Sequence, residues 1–517
     1  MSLRIGVDVG GTNTDAVLMD NRRVVAKLKT PTTENVTSGI TTAIRSVLDQ
    51  SGAQTDAIDA VMIGTTHFTN AIVERRHLQP VGIIRIGLPA TAALPPLIDW
   101  PEDLVEAMES STYLVHGGYE FDGRKISDFD PEEVRTAARD IAARGIRAVA
   151  ISCVFSPVNS DLEEQAAEIV AEIVPDVMIT KSNEIGRIGL LERENAAILN
   201  SCLRDLANRT MTAFEQSIAD LGIDAPLYLT QNDGTLMLAD YARTFPVLTI
   251  ASGPTNSMRG AAFLSGLDNA VVVDIGGTTS DVGMLTHGFP REASVAVDVG
   301  GVRTNFRMPD VYSVGLGGGS LVDFDANTVG PRSVGYRLTE QARVFGGDTL
   351  TATDIVVAAG KAEIGDASLV ASIAPEGVAK ALGRIQEMVE TAVDRMKTSS
   401  EPVPVIVVGG GSVLVTRDVE GASQMVKPDH YEAANAVGAA IAQISGETDR
   451  VYSLEAMSRD EAIADAKAEA TGRAVAAGAA AETIQIVDVE DVPLAYLPGN
   501  ATRIRIKAVG DLAMNPS

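Results

Sequence analysis

The sequence predicts an α/β protein of two homologous lobes facing one another across a cleft, followed by a small α+β unit. Three observations predict it. The octapeptide DVGGTNTD at 8–15 returns as DIGGTTSD at 274–281, with Asp8/Asp274, Gly10/Gly276, Gly11/Gly277, Thr12/Thr278 and Asp15/Asp281 identical. Each copy leaves one apolar strand and enters another, so the repeat marks two copies of a lobe rather than a solenoid of short units. Elsewhere short apolar runs alternate with amphipathic helical stretches, and aromatic residues make up only 4% of the chain, as suits parallel strands buried between helices.

The elements follow in order. Residues 3–9 read as a buried strand, and after the glycine turn 16–20 and 23–30 continue as a meander. Residues 36–50 place Ile40, Ala43, Ile44, Val47 and Leu48 at helical spacing. Residues 61–66 read as a strand, and 69–76 as a helix capped by Thr69. Residues 80–130 are mixed and proline-rich. A helix at 131–144 opened by Pro131, a strand at 148–155, a helix at 160–173 and a strand at 177–180 complete the first half. Residues 187–221 read as a long helix bridging the lobes. In the second half, 226–234 and 247–254 read as strands ending in turns, and 255–265 as a helix. Residues 270–288 are strand, glycine turn and strand; 375–398 a helix; 403–412 a strand ending in glycines; 430–444 a helix. The tail carries a helix at 458–478 and strands at 483–489 and 502–509. The expected divisions are therefore 1–185, 186–449 and 450–517.

The turns carry the chemistry. Paired glycines let the backbone bend tightly and approach phosphate oxygens, and successive amides in such a turn form an anion-binding nest. This reading takes Gly10, Gly11, Thr12, Asn13 and Thr14, with Gly276, Gly277, Thr278 and Thr279, as the two halves of a triphosphate clamp. Asp8 and Asp274, at the strand ends, suit a hydrated Mg²⁺, which keeps several of its waters; their plainer role is to cap the turns. Asp15 and Asp281 close the same loops. The chain has no G-x-x-x-x-G-K loop, and its glycine triplets at 317–319 and 409–411 are not the dinucleotide fingerprint.

Composition limits the partners. With 42 basic and 69 acidic residues the formal net charge is −27, a surface that repels a phosphodiester backbone, so nucleic acid is not an expected partner. No apolar run reaches the roughly 20 residues of a membrane span, no leader is evident at the start, and a cytoplasmic protein is expected. Cys153 and Cys202 have no metal-like spacing and read as reduced core thiols.

The duplicated turns, with VIVVGGGS at 405–412, resemble the superfamily of actin, sugar kinases and heat-shock ATPases, which implies a two-lobed, duplicated ribonuclease-H-like fold binding ATP and Mg²⁺. A narrower resemblance is to the hydantoinase A/5-oxoprolinase family. It rests on DVGGTNTD (8–15), GTTHFTNAIVERR (64–76), TQNDGTLMLADYA (230–242), ASGPTNSMRGAA (251–262), DIGGTTSDV (274–282), VGLGGGSL (314–321) and GGDTLTATD (346–354), in family order. The resemblance implies an ATP-dependent cyclic amidohydrolase, in which phosphorylation of an amide or imide oxygen permits ring opening, often with a separate partner subunit. It places Gly409, Gly410, Gly411 and Ser412 beside adenosine. It makes Thr66, His67 and Asn70 candidates, with Asp8 and Asp274, for the catalytic set. Gly317 and Gly318 are expected in a second anion nest, or in a tight interdomain turn. The family pattern is broken at 336–348, YRLTEQARVFGGD, which leaves the substrate open among hydantoin-, oxoproline- and lactam-like rings. A small-molecule or sugar kinase, an ATP-dependent carboxylase subunit and a non-enzymatic actin- or chaperone-like nucleotide switch remain alternatives. So does a homo-oligomer. With no Cys/His pair or Ser-His-Asp order in sight, the hydrolytic half is expected from a partner subunit.

Overall fold

The computed structural model describes residues 3–11, 13–32, 36–293, 296–455, 457–494 and 500–513. The meander forms as the alternating apolar residues require: β1 (Leu3–Val9), β2 (Asn13–Asp20) and β3 (Arg23–Pro31), with Ile5, Val7 and Val9 facing the core. After α1 (Val36–Ser51), β4 (Ile58–Thr65) lies parallel to β1, and α2 (His67–Val73) follows at once. The proline-rich stretch is itself structured. β5 (Val81–Leu88), α3 (Glu102–Met108), β6 (Ser111–His116), α4 (Pro131–Ala143), β7 (Ala148–Cys153), α5 (Asp161–Ile173) and β8 (Met178–Lys181) build a separate parallel sheet of order β6-β5-β7-β8. Its core holds Ile84, Ile86, Val115, Val134, Ile141 and Ile151. Asp130 caps α4 through the Glu132 amide, with Pro131 at the first turn.

The long helix α6 (Leu190–Asp220) leads back to the first sheet through β9 (Leu227–Thr230) and β10 (Thr235–Leu238). Then come α7 (Ala239–Thr244) and α8 (Ser252–Ser265). The run expected as a strand at 247–254 is instead a 3-10 turn over Pro246–Thr249 leading into α8. Asn232 is the reason. Its backbone amide donates to the Leu248 carbonyl, its side-chain amide donates to the Val247 carbonyl, and its side-chain oxygen accepts from the Ala251 amide. The segment's polar groups are thereby satisfied without a sheet.

The second lobe opens with β11 (Ala270–Ile275), β12 (Ser280–Thr286) and β13 (Phe289–Pro290). A hairpin of β14 (Val297–Val299) and β15 (Val302–Thr304), β16 (Val311–Val314) against β12, and a hairpin of β17 (Ser320–Asp323) and β18 (Thr328–Ser333) follow. Helices α9 (Leu338–Gln341), α10 (Ala352–Ala358) and α11 (Pro375–Met396) lead to β19 (Val403–Val408) and β20 (Ala422–Val426). The helix expected at 430–444 is shorter, α12 (Ala434–Ile441), because β21 (Gln443–Ser453) begins at once. Last come α13 (Arg459–Ala476), β22 (Gln485–Pro493) and β23 (Ala501–Gly510).

The first large sheet has the order β22-β23-β21-β10-β9-β4-β1-β2-β3, and the second β13-β12-β11-β19-β20. The run β3-β2-β1-β4-β9 therefore matches β13-β12-β11-β19-β20. In both, the first pair is antiparallel and the last two strands join in parallel. This duplication is the two-lobed, ribonuclease-H-like architecture of the actin-like ATPase fold. Residues 227–238 and 443–510 also add strands to the sheet that begins at residue 3, so sheet membership crosses the expected divisions at 185/186 and 449/450.

Between the two sheets lie α8 and α12. A side chain on Gly260 would fall 1.9 Å from the Ala434 carbonyl oxygen, and one on Gly438 1.8 Å from that of Asn256, so the helices cross backbone to backbone. One side of the pair packs on Val17 and Met19 of the first sheet and the other on Val272, Leu285, Ile406 and Val408 of the second. Cys153 and Cys202 are free and buried as expected, and burial pushes both thiols up. Among the described residues no helix is long and apolar enough to cross a membrane.

Candidate functional site

The two repeats fold as equivalent hairpins. Asp8 lies opposite Asp15 in the β1–β2 register and Asp274 opposite Asp281 in β11–β12. In the first turn the Gly10 amide donates to the Asn13 carbonyl at 3.0 Å; in the second the Gly276 amide donates to the Thr279 carbonyl at 2.9 Å. Among the described residues the amides of Gly11, Gly277 and Thr278 have no acceptor. Thr14 is buried, with its hydroxyl 3.3 Å from that of Thr32; Asn13 is half-buried and Thr279 exposed. Thr12 lies outside the described residues.

Asp8 is 4% exposed. Asn256 of α8 donates to its Oδ1 at 3.1 Å, and Asn435 of α12 to its Oδ2 at 3.3 Å. The bare backbone of Gly64 makes room, since a Cβ there would lie 2.2 Å from Asn256 Nδ2 and 2.5 Å from Asp8 Oδ1. In the second lobe Gly409, at φ +85°, plays the same part: a Cβ would lie 2.2 Å from Asp274 Oδ1. Burial raises Asp8, against the two asparagine amides and Lys29, which favour its charge. Burial, then the Asp281 carboxylate, push half-buried Asp274 up to about 7, with Ser257 and Lys29 opposing and Asp8 adding to the rise. The two strand-end carboxylates therefore feel one another and share one cation. Burial raises Asp281 as well, with Ser313 donating to it.

That cation is Lys29 of β3, which donates to both oxygens of Asp15 at 2.9 and 2.8 Å. Burial takes Asp15 up to about 6, with Lys29 opposing and the Asp8 and Glu432 carboxylates reinforcing. Lys27, two residues back on the same face of the strand, pairs with Glu432 of the second lobe.

The glycine triplets divide in role. Gly409 and Gly411 are buried and Gly410 exposed. The Gly411 amide donates to the Ile275 carbonyl at 2.7 Å, while that of Gly410 has no acceptor among the described residues. The Ser412 hydroxyl is buried without a partner. Gly317 and Gly318 depart from the anion-nest expectation. The amides of Gly318 and Gly319 donate to the Gly276 and Gly277 carbonyls at 3.1 and 2.7 Å, and that of Gly317 to Ser320 Oγ at 2.8 Å. A Cβ on Gly317 would lie 2.5 Å from the Thr278 nitrogen. With their donors committed, these residues brace the second hairpin as a tight turn within the second lobe rather than between domains.

The loop after β4 is drawn against the first hairpin by its start only. The Thr66 amide and hydroxyl both donate to the Val9 carbonyl, at 3.2 and 3.3 Å. Thr69, expected as a cap, sits within α2 and donates to the Ile250 carbonyl at 2.6 Å. His67 is half-buried, and burial lowers its pKa; its charged neighbours are His77, Arg209 and Glu74. Asn70 is exposed on α2. Arg75 turns away to Asp103 and the Gly300 carbonyl.

Three residues beside the carboxylates lay outside the predicted set. Asn435 carried a signal, a lone amide in the helix ANAVGAAI. Lys29 carried a weaker one, a second lysine on one strand face. Asn256 stood inside a quoted motif with nothing to mark its direction. Its Oδ1 is buried and unpartnered, which suits a site whose polar groups await a ligand. Among the described residues no three His, Cys, Asp or Glu side chains gather as metal ligands. That donor set suits Mg²⁺, which takes one or two carboxylates and leaves its other positions to water and phosphate.

Residues 4–174 match the hydantoinase/oxoprolinase N-terminal region and residues 193–366 the hydantoinase/oxoprolinase region. The chain is 28% identical over 391 residues to caprolactamase subunit alpha of Pseudomonas jessenii, covering 69% of this chain and 54% of that one. To the acetophenone carboxylase gamma subunit of Aromatoleum aromaticum it is 28% identical over 397 residues, covering 69% and 53%. The chain spans about half the length of these curated relatives. The crystal structure of ATP-dependent caprolactamase from Pseudomonas jessenii superposes with a TM-score of 0.81 at 20% identity, over 99% of this chain and 88% of that one, a likeness of fold. Both lobes thus carry, in succession, the regions matched by one family, and the chain belongs to the hydantoinase/oxoprolinase family.

Proposed function

We propose that the protein binds Mg-ATP between its two hairpins and phosphorylates an amide or imide oxygen of a small cyclic substrate, so that the ring can be opened. The observation that carries this reading is the duplicated hairpin: a buried Asp8 and a half-buried Asp274, each beside a turn with uncommitted amides among the described residues. When bound, ATP would supply the phosphoryl group and Mg²⁺ would offset its charge. Asp8 and Asp274 would hold the hydrated ion. The amides of Gly11, Gly277 and Thr278 would face phosphate oxygens, and Gly409, Gly410, Gly411 and Ser412 the adenosine side. An amide carbonyl is a poor electrophile; transferring phosphate to its oxygen activates the carbon, water adds there, the C–N bond breaks as the nitrogen takes up a proton, and a second water releases the phosphate from the acyl phosphate that remains. What the protein itself contributes is positioning and charge compensation.

Thr66 and His67, beside the first hairpin at the end of β4, fall on the substrate side in this reading, with Asn70 a turn further out. A lowered pKa keeps the His67 imidazole neutral near pH 7, the form that accepts a proton. Caprolactamase subunit alpha and the acetophenone carboxylase gamma subunit are both named as subunits, which supports a separate partner for the second half of the reaction. The equal likeness to a carboxylase subunit favours one further reading, in which the activated oxygen belongs to a carboxylation substrate. The common step is ATP-driven activation of a substrate oxygen.

Mg-ATP should raise the melting temperature, by the equivalent of about 2.7 kcal/mol at 100 times its dissociation constant. Phosphate release should rise on adding one of a panel of cyclic amides, imides and enolisable ketones, and rise strongly once the partner is present. A protein that neither binds Mg-ATP nor responds to any of these with its partner present does not work this way.

A further inference from the structure

Lys29 has three N–H donors and uses two. Asp15 takes those two, at 2.9 and 2.8 Å. The Nζ also lies 3.5 Å from the Glu432 carbonyl oxygen, longer than the roughly 2.7–3.2 Å of an ordinary hydrogen bond. The side chain is 37% exposed. It rises from the first lobe toward the second lobe's glycine loop: a Cβ on Gly410 would lie 3.6 Å from Lys29 Cε. Asp15 is held opposite Asp8 by the strand register, so the carboxylate that grips Lys29 is fixed to the first hairpin. The result is an aimed ammonium group at the junction of both turns, with donor capacity to spare.

We infer that Lys29 is a phosphate-binding residue, which donates its remaining N–H to the terminal phosphates of a nucleoside triphosphate from between the first hairpin and the Gly410 edge of the adenosine-side loop. This rests on the proposed nucleotide site. Asp15 acts here as a positioning residue, orienting the ammonium without touching the ligand. The charge balance supports the assignment. Asp8, Asp15, Asp274, Asp281 and Glu432 crowd the junction, and Lys29 is the positive charge felt by Asp8, Asp15 and Asp274 alike. A polyphosphate entering there meets carboxylates on several sides, so a cation beyond Mg²⁺ is needed where the turns meet. A lysine serves as a point charge that follows phosphate oxygens without the fixed fork of an arginine.

The test is a ladder of dissociation constants for ATP, ADP and AMP, each with Mg²⁺, by calorimetry on the full chain. Lys29→Met should weaken ATP by about 10- to 100-fold, the range for a hydrogen bond to a charged group, while changing AMP by less than about twofold. Lys29→Arg should recover part of the loss. The double variant Asp15→Asn/Lys29→Met removes the ion pair without leaving either charge alone; it should bind ATP as poorly as Lys29→Met. Recovery of wild-type ATP affinity in the double variant, or a parallel fall for ATP and AMP, would overturn the assignment by making Lys29 only the partner of Asp15. Wild-type protein that binds ATP while Lys29→Met binds it equally well overturns this inference alone. Wild-type protein that binds no ATP overturns the nucleotide site beneath it.

Discussion

Gly438→Ala tests whether the helix crossing between the lobes holds the Asp8 carboxylate. The added methyl would fall 1.8 Å from the Asn256 carbonyl oxygen, 2.6 Å from its carbon and 2.9 Å from the Gly260 nitrogen. All three obstacles are backbone, so rotamer changes bring no relief. Restoring van der Waals contact requires α8 and α12 to separate by on the order of 1.5 Å, and overpacking of this kind costs about 1–3 kcal/mol. The separation reaches further than stability. Asn256 on one helix and Asn435 on the other grip Asp8 at 3.1 and 3.3 Å; moving the helices apart stretches one or both bonds past useful length. We expect a fall in melting temperature corresponding to about 3 kcal/mol, with weakened Mg-ATP binding in the protein that remains folded. Gly472→Ala in α13 is the matched control. It has nothing within 4 Å of the new methyl and ordinary helical φ, so it should stabilise by about 0.5–1 kcal/mol. Equal melting temperatures for Gly438→Ala and wild type would refute the crossing as described.

Two further predictions concern charge. Asp274 is raised to about 7 in the folded chain from 3.8, so its contribution to stability is fully present below pH 3.8 and is lost as pH rises through 7. Asp274→Asn should therefore stabilise the ligand-free protein increasingly between pH 5 and 7 and evenly above that, by up to about 4 kcal/mol at about 1.4 kcal/mol per pH unit; a gain that is the same at pH 5 and pH 8 contradicts it. Elsewhere, Asp233 accepts Lys507 at 2.8 Å and Arg307 at 3.1 Å, and Glu292 pairs with Arg505, Arg307 and Lys507. Burial would raise both carboxyls, but the cations dominate, holding Asp233 well below the usual range and Glu292 down to about 2. Their stabilisation is present above the unfolded values and disappears only as pH falls through the folded ones. Asp233→Asn, which takes one carboxylate partner from each of two buried cations and leaves them Glu292 and Glu447, should cost about 3 kcal/mol at pH 7, and the deficit should shrink in melting curves taken below pH 3.

The architecture was legible where local pattern and long-range repeat agreed. The DxGGTxxD copies predicted the hairpins and their flanking strands, with Asp15 and Asp281 closing the same loops as Asp8 and Asp274. Helices with a clean apolar face, such as 36–51 and 375–396, stood within a residue or two of expectation. The parallel sheet within 80–185 was only partly visible, because β5 and β6 are short runs set among prolines in the connecting segments. The segment 247–254 was misread because a short apolar run is equally a strand or a buried turn, and the deciding group, the Asn232 side chain, lies fifteen residues or more away. Gly317 and Gly318 were left between an anion nest and a tight interdomain turn because sequence gives the donors and not their acceptors. Asn256 and Lys29 became meaningful only once the fold set them beside Asp8 and Asp15.

The return of the chain to its first sheet bears on how the protein is made. β10 ends at residue 238, and its neighbour β21 starts at 443; everything between belongs to the linking helices and the second lobe. During synthesis the first lobe emerges with one flank of its largest sheet uncovered, and it must wait for the whole second lobe before that flank is paired. A waiting edge of this sort is slow to close, because the contact spans a long stretch of chain, and it is open to pairing with neighbours on the same messenger. β10 is only four residues long, a short edge that limits that exposure. The two lobes are therefore folded in a nested order, the outer one begun first and finished last.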